Sequence, residues 1–278
     1  MNNIATKPVV SEPDYTAIKV KQQAAWGSGD YAVIGSTVNI VGEQLAEAAN
    51  VNPGERVLDV AAGNGNATLA AARRFADVTS TDYVESLLTK ARRRTEAEGM
   101  NVAFQQADVE QLPFEDNGFD VVMSTFGCMF APNQTRTAAE MARVCRSGGR
   151  IAMANWTPDS FIGALFGCIG RHVAPPAGVS SPALWGTQAK LEELFGDTAA
   201  RIDVQTRVFN FRYHNVAHWL DLFRTYYGPM HKAFLALPED GQTALAEEMT
   251  ALAENFNIAT DGRMVVPSDY AEIVITKR

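Results

Sequence analysis

The sequence predicts an α/β protein, a doubly wound and mostly parallel sheet with helices on both faces. Three observations carry this. Short apolar runs alternate with helical patterns from Arg56 to Trp156, the rhythm of βαβ units. One junction, R-V-L-D-V-A-A-G-N-G-N-A-T over residues 56–68, reads as buried strand, glycine turn and helix start. Polar residues close successive strands, at Asp59, Asp82, Asp108 and Thr125. Right-handed crossovers put those strand ends along one edge, where open α/β sheets take their ligands.

Residues 1–13 are polar and predict a poorly ordered tail, which leaves 14–278 as a single domain. Tyr15 to Ala25 predicts a helix that ends at W-G-S-G-D-Y, residues 26–31. Glycines and aromatics there predict an N-terminal lid over residues 14–34, with Trp26 and Tyr31 excluding water. A second helix is expected from Thr37 to Ala49, with Val38, Val41 and Leu45 on its apolar stripe. Asn52-Pro53-Gly54 turns the chain into the first strand. Gly63 and Gly65 permit left-handed backbone, and Asn66 is the expected cap of the next helix.

Further strands are expected at 78–81, 102–107, 119–125 and 150–156, with helices at 84–98 and 133–145 between them. Arg92, Arg93 and Arg94 read as a solvated helix face. Beyond Trp156 the alternation fades. Helices are expected at 161–172, 187–195, 215–224 and 239–256, strands at 202–211 and 270–277. Residues 213–268 then form a helical insertion over the site.

The chain has 278 residues, 46% apolar and 20% charged, ordinary for a globular protein. Its net charge of -8 argues against general nucleic-acid binding, which relies on neutralising phosphates. No run approaches the ~18 apolar residues of a membrane span, and the N-terminus lacks a secretory pattern. Cys128, Cys145 and Cys168 have no C-x-x-C spacing. Disulfides and a metal site are not expected, and a reducing cytoplasm is.

The glycine turn suits two ligand classes. A dinucleotide sets an anionic pyrophosphate on the helix start, and Asp59 would repel it. S-adenosylmethionine carries an ammonium and a sulfonium and no phosphate, and Asp59 would attract it. The motifs agree. V-L-D-V-A-A-G-N-G, with Ala61 and Ala62 at the usual Gly-Cys, resembles the first motif of the class I S-adenosylmethionine-dependent methyltransferases. T-S-T-D-Y, A-D-V-E-Q-L-P-F and R-V-C-R-S-G-G-R resemble the motifs that follow in that family. The likeness spans Gly35 to Trp156 and is nearest the ubiquinone/menaquinone-biosynthesis branch.

The resemblance implies a seven-stranded Rossmann-like methyltransferase fold whose last strand runs antiparallel between strands five and six. It implies S-adenosyl-L-methionine as cofactor and S-adenosyl-L-homocysteine as product. Asp59 would hold the ammonium, directly or through water, with Ala61, Gly63, Asn64 and Gly65 against the cofactor. Asp82 would take the ribose and Asp108 the adenine amino group, with Tyr83, Leu87, Ala107 and Val109 flanking the adenosine. Thr125 and Phe126 would meet the methionine part.

For a small-molecule acceptor, the candidate contacts are Trp26, Tyr31, Phe130, Trp156, Tyr227 and His231, with Trp185, Trp219 and Tyr226 as further aromatics. The mixed apolar and aromatic insertion suggests a small, partly apolar acceptor, methylated on O, N or C. No motif fixes a catalytic base. A monomer or homodimer is expected, without nucleic acid. Two rivals share the fold: an NAD(P)-dependent oxidoreductase and a non-catalytic S-adenosylmethionine-binding regulator.

Overall fold

The structure is a computed structural model and describes residues 13–278; residues 1–12 of the expected tail lie outside the described residues. One seven-stranded sheet runs in the order β3-β2-β1-β4-β5-β7-β6. Its strands are β1 (Arg56–Asp59), β2 (Asp77–Asp82), β3 (Ala103–Gln106), β4 (Phe119–Thr125), β5 (Cys145–Trp156), β6 (Ala199–Tyr213) and β7 (Met264–Lys277). Strands β1 to β5 pair in parallel. Strand β7 runs antiparallel between β5 and β6, as expected from the family resemblance. The order reverses between β1 and β4, and this switch point positions the site.

The helices are α1 (Tyr15–Trp26), α2 (Tyr31–Gly35), α3 (Asn39–Ala48), α4 (Asn66–Ala72), α5 (Glu85–Ala97) and α6 (Gln134–Val144). Then come α7 (Phe161–His172), α8 (Gln188–Phe195), α9 (Val216–Tyr226), α10 (Gly228–Leu235) and α11 (Glu239–Phe256). The central strands are apolar on both faces because helices cover both: Val57, Leu58, Val121 and Val122 are fully buried. None of the described helices is long and apolar enough to cross a membrane.

Three expectations are corrected. Asn66 does not cap α4. Gly65 does, at φ 83°, and the Asn66 side chain instead donates 2.8 Å to the Gly35 carbonyl. The strand expected at 150–156 begins at Cys145 and takes in Ser147–Gly149 as a bulge, with the register jumping from Phe119–Cys145 to Val121–Arg150. The third correction is the extra helix α10, which begins on Gly228-Pro229, a pair that reads as a breaker but suits a helix start.

The β6–β7 ribbon is longer than expected and outruns β5, whose pairing with β7 stops at Trp156–Tyr270. Pro267 lies in this overhang, where its missing N–H interrupts no ladder on the β5 side. Phe209 and Phe211 on the ribbon pack against Trp156, and Phe211 also meets Phe223 on α9.

Candidate functional site

The loop from β1 to α4 is the floor of the site. Ala61, Gly63 and Gly65 all have left-handed backbone, at φ 49°, 57° and 83°. A second turn, after β4, has Phe126 at φ 56°. Such conformations in non-glycine residues persist only where the surroundings hold them. Here Gly127 packs so closely on Ala61 that no side chain would fit between the two turns.

Asp82, Asp108 and Glu110 line the cleft. Asp82 is buried, and its two oxygens accept from the backbone N–H groups of Gly63 (2.9 Å) and Val84 (2.8 Å). Burial pushes its pKa up to about 6, against those hydrogen bonds. Asp108 accepts from the Lys19 ammonium at 2.6 Å and from the Glu110 backbone at 2.9 Å. Lys19 also reaches Glu110 at 2.8 Å. Asp59 lies deeper: one oxygen accepts from the Thr68 hydroxyl at 2.6 Å, and Thr68 in turn bonds Ser80 at 2.8 Å. Burial raises Asp59 to about 7, opposed by Thr68 and reinforced by Asp82.

The roof comes from distant segments. Helix α1 has no buried residue and is fastened by polar contacts. Lys19 holds Asp108, Gln22 donates to the Phe130 carbonyl (3.1 Å), and Gln23 donates to the Tyr83 carbonyl (2.5 Å). Trp26 then packs edge-on against Tyr31, Phe130 and Tyr227, with centroids 5.0–5.6 Å away. The Asp30 N–H bonds the Tyr226 carbonyl, and a side chain on Gly228 would collide with Ala25 and Ser28. The N-terminal segment and the α9–α10 junction therefore meet backbone to backbone.

These walls line one cleft. It brings together Ala61, Gly63, Asn64, Asp82, Tyr83, Leu87, Ala107, Asp108, Val109, Thr125 and Phe126 with Trp26, Tyr31 and Phe130. Asp59 and Gly65 lie outside the lining. Trp156 is also outside it, stacked on Phe126 at 3.9 Å, and so supports the wall from behind. Tyr227 backs Trp26 and Tyr31. His231 is half-buried on α10 and pairs with the Arg224 carbonyl, away from the lining. Trp185 and Trp219 are fully buried core, and Tyr226 does not line the cleft.

Lys19, Gln22 and Glu110 line the cleft without having been singled out from sequence. Glu110 stands within the A-D-V-E motif and was findable there; Lys19 and Gln22 sit on a helix whose docking no local pattern reveals. Arg94 departs from the solvated face expected of it. It is half-buried and binds the Asn64 carbonyl at 2.5 Å.

The buried polar atoms test the cofactor's fit. Gln22 Oε1, Asn64 Nδ2, Thr125 Oγ1 and Asp59 Oδ1 have no partner among the described residues. The first three belong to cleft-lining residues, and buried polar atoms normally find partners. Donors and acceptors left open around acids suit a polar, partly cationic ligand.

Sheet order, switch point and glycine loop together define a Rossmann-like methyltransferase fold. Comparison with known proteins carries this further. Residues 57–149 match a family model described as a methyltransferase domain. An uncharacterized protein of Mycobacterium tuberculosis is 38% identical over 239 residues, covering 83% of this chain and 86% of that one. A ubiquinone/menaquinone biosynthesis C-methyltransferase of Bdellovibrio bacteriovorus is 30% identical over 140 residues, covering 49% and 60%. The YcgJ protein of Bacillus subtilis shares the fold, with a TM-score of 0.56 at 17% identity over 88% of this chain and 99% of that one. The chain belongs to the class I S-adenosylmethionine-dependent methyltransferases. It is an enzyme of that class, which sets aside the oxidoreductase and the non-catalytic regulator.

Proposed function

We propose that this methyltransferase moves the methyl group of S-adenosylmethionine to O, N or C of a small, partly apolar acceptor. One observation carries the reading: a single cleft is lined both by the acids Asp82, Asp108 and Glu110 and by the aromatics Trp26, Tyr31, Phe126 and Phe130. The acids suit the nucleoside and the aromatics suit an apolar acceptor.

Each oxygen of Asp82 accepts one N–H and keeps a lone pair, enough to hold the ribose hydroxyls. Asp108 takes the adenine amino group, with Tyr83, Leu87, Ala107 and Val109 along the rings. Ala61, Gly63 and Asn64 line the amino-acid part, with Gly65 closing the turn at its left-handed φ. Thr125 and Phe126 face the methionine portion. Asp59 does not line the cleft, so its carboxylate acts on the ammonium through water. Residues 14–34 and the α9–α11 helices within 213–268 form one cover over a single domain.

When bound, the cofactor supplies a methyl already activated by a positively charged sulfur. The protein's own part is then to hold the nucleophile in line and keep water out. Burial pushes the Tyr31 hydroxyl up to about 12, with Asp82 adding to the rise, so Tyr31 donates a hydrogen bond rather than acting as a base. Tyr227 is raised by burial still more strongly and keeps its proton too.

The test is turnover. The full chain is incubated with S-adenosylmethionine and a panel of phenols, amines and active-methylene compounds, and S-adenosylhomocysteine is quantified. Acceptor-dependent product from small apolar compounds supports the proposal. Product only with proteins, nucleic acids or highly charged acceptors contradicts it.

A further inference from the structure

We propose that the outer edge of β6 is where two copies of this chain join, extending their sheets across a two-fold axis at Gln205. Strand β6 is last in the sheet order and pairs only with β7. Over Arg201–Phe209 its backbone forms no hydrogen bond except to β7 among the described residues. Every second residue there turns its N–H and C=O outward, a row of unmet donors and acceptors about 30 Å long. Edge strands are commonly short, or blunted by proline or a bulge. This one runs 15 residues, holds no proline, and has its register shift at Ala199–Arg201. Beyond the other end the Asn210 carbonyl accepts from the Arg212 guanidinium at 3.1 Å. The open stretch between these two features is centred on Gln205.

The charge pattern makes the occupant a second copy, because the edge is complementary to itself. In antiparallel pairing about Gln205, Asp203 of each copy faces Arg207 of the other, so one ion pair forms twice. Gln205 faces its own counterpart, amide to amide. On the opposite face of the strand Ile202 meets Val208 and Val204 meets Thr206, all β-branched residues that suit cross-strand contact. Val208 is 55% exposed. Arg207 is anchored by Glu272, whose Oε1 accepts from its Nε at 3.2 Å and its Nη2 at 3.0 Å, leaving Nη1 for a further acceptor. Asp203 is paired with Arg201 at 2.7 Å, and both are exposed. Other registers fail. An axis at Val204 sets Arg201 against Arg207, and one at Asp203 or Arg207 sets that residue against its own twin. An axis at Thr206 forms no ion pair. One at Ile202 pairs Arg201 with Asp203 but carries the ladder into the bulge. The charges therefore select a single register.

Analytical ultracentrifugation of the full chain across a concentration series tests this. Wild type should reach the mass of two chains. Asp203→Arg and Arg207→Asp, each alone, set like charges together twice and should raise the dimer dissociation constant about 10- to 100-fold. Mixing the two variants should restore the dimer, since each then meets the opposite charge across the axis at both contacts. Circular dichroism of each variant checks that it is folded. Gln205→Lys sets two ammonium groups face to face at the axis and should also weaken the dimer; it stands in for the mixing arm should Arg207→Asp, which strips Glu272 of its partner, fold poorly. A wild-type chain that stays single at every concentration would overturn the proposal. So would a dimer that Asp203→Arg and Gln205→Lys leave intact, which puts the interface elsewhere. A mixture of the two folded charge variants that stays monomeric would overturn the register and the proposal with it.

Discussion

Replacing Asp59 by Asn should make the ligand-free protein more stable at pH 8 and no more stable at pH 5. Asp59 is 1% exposed, has no cation bonded to it, and leaves one oxygen without a partner among the described residues. Burial raises its pKa from an ordinary 3.8 to about 7. The folded chain thus binds the proton more tightly than the unfolded one. Stability falls as pH rises between those two values, and the whole penalty is present above the upper one. At ~1.4 kcal/mol per pH unit, the rise corresponds to a ceiling of about 4 kcal/mol. Asn removes the charge but sets an amide N–H where an acceptor stood, which costs ~1–3 kcal/mol if it stays unpaired. The net gain is about 2 kcal/mol, or about 4 °C in Tm for a chain of this size. Thermal melts of both proteins at pH 5 and pH 8 measure it. A variant that melts below wild type at pH 8, or by the same margin at both pH values, would refute the reasoning.

Other outcomes follow from the same geometry. Thr68→Val removes the hydroxyl that bonds both Asp59 and Ser80 and should lower stability by ~1–3 kcal/mol in urea titrations at pH 7. Asp82→Ala should weaken S-adenosylhomocysteine binding by ~10- to 100-fold in calorimetry. Gly228→Ala sets a methyl group against the Ala25 and Ser28 carbonyls, so hydrogen exchange should quicken in residues 14–34 and leave β1 and β4 unchanged. Lys19→Met leaves Asp108 and Glu110 without their shared cation, so limited proteolysis should cut α1 faster than in wild type.

The central half of the fold was legible because its signals are local. An apolar run, a glycine turn and an acid at the strand end are all read within a dozen residues, and Asp82 and Asp108 fell at the cleft for that reason. Arg94 was misread because its three partners lie 28 to 55 residues away in sequence. Lys19 was overlooked for the same reason, its partner Asp108 standing 89 residues on. Asn66 looked like a cap because its residue type suits one, but Gly65 already occupied the left-handed position and freed the side chain for Gly35. The aromatics divided by tertiary contact alone. Trp26 and Tyr31 reached the cleft, whereas Trp185 and Trp219 went to the core. The full length of β7 was hidden by Pro267, which falls where the ribbon outruns β5.

The most direct measurement is a calorimetric titration of the wild-type chain, at constant salt, with S-adenosylhomocysteine and separately with NADH. The account requires one saturable site per chain for the first and no heat of binding for the second. Binding of the dinucleotide, or silence with the thioether nucleoside, would contradict it.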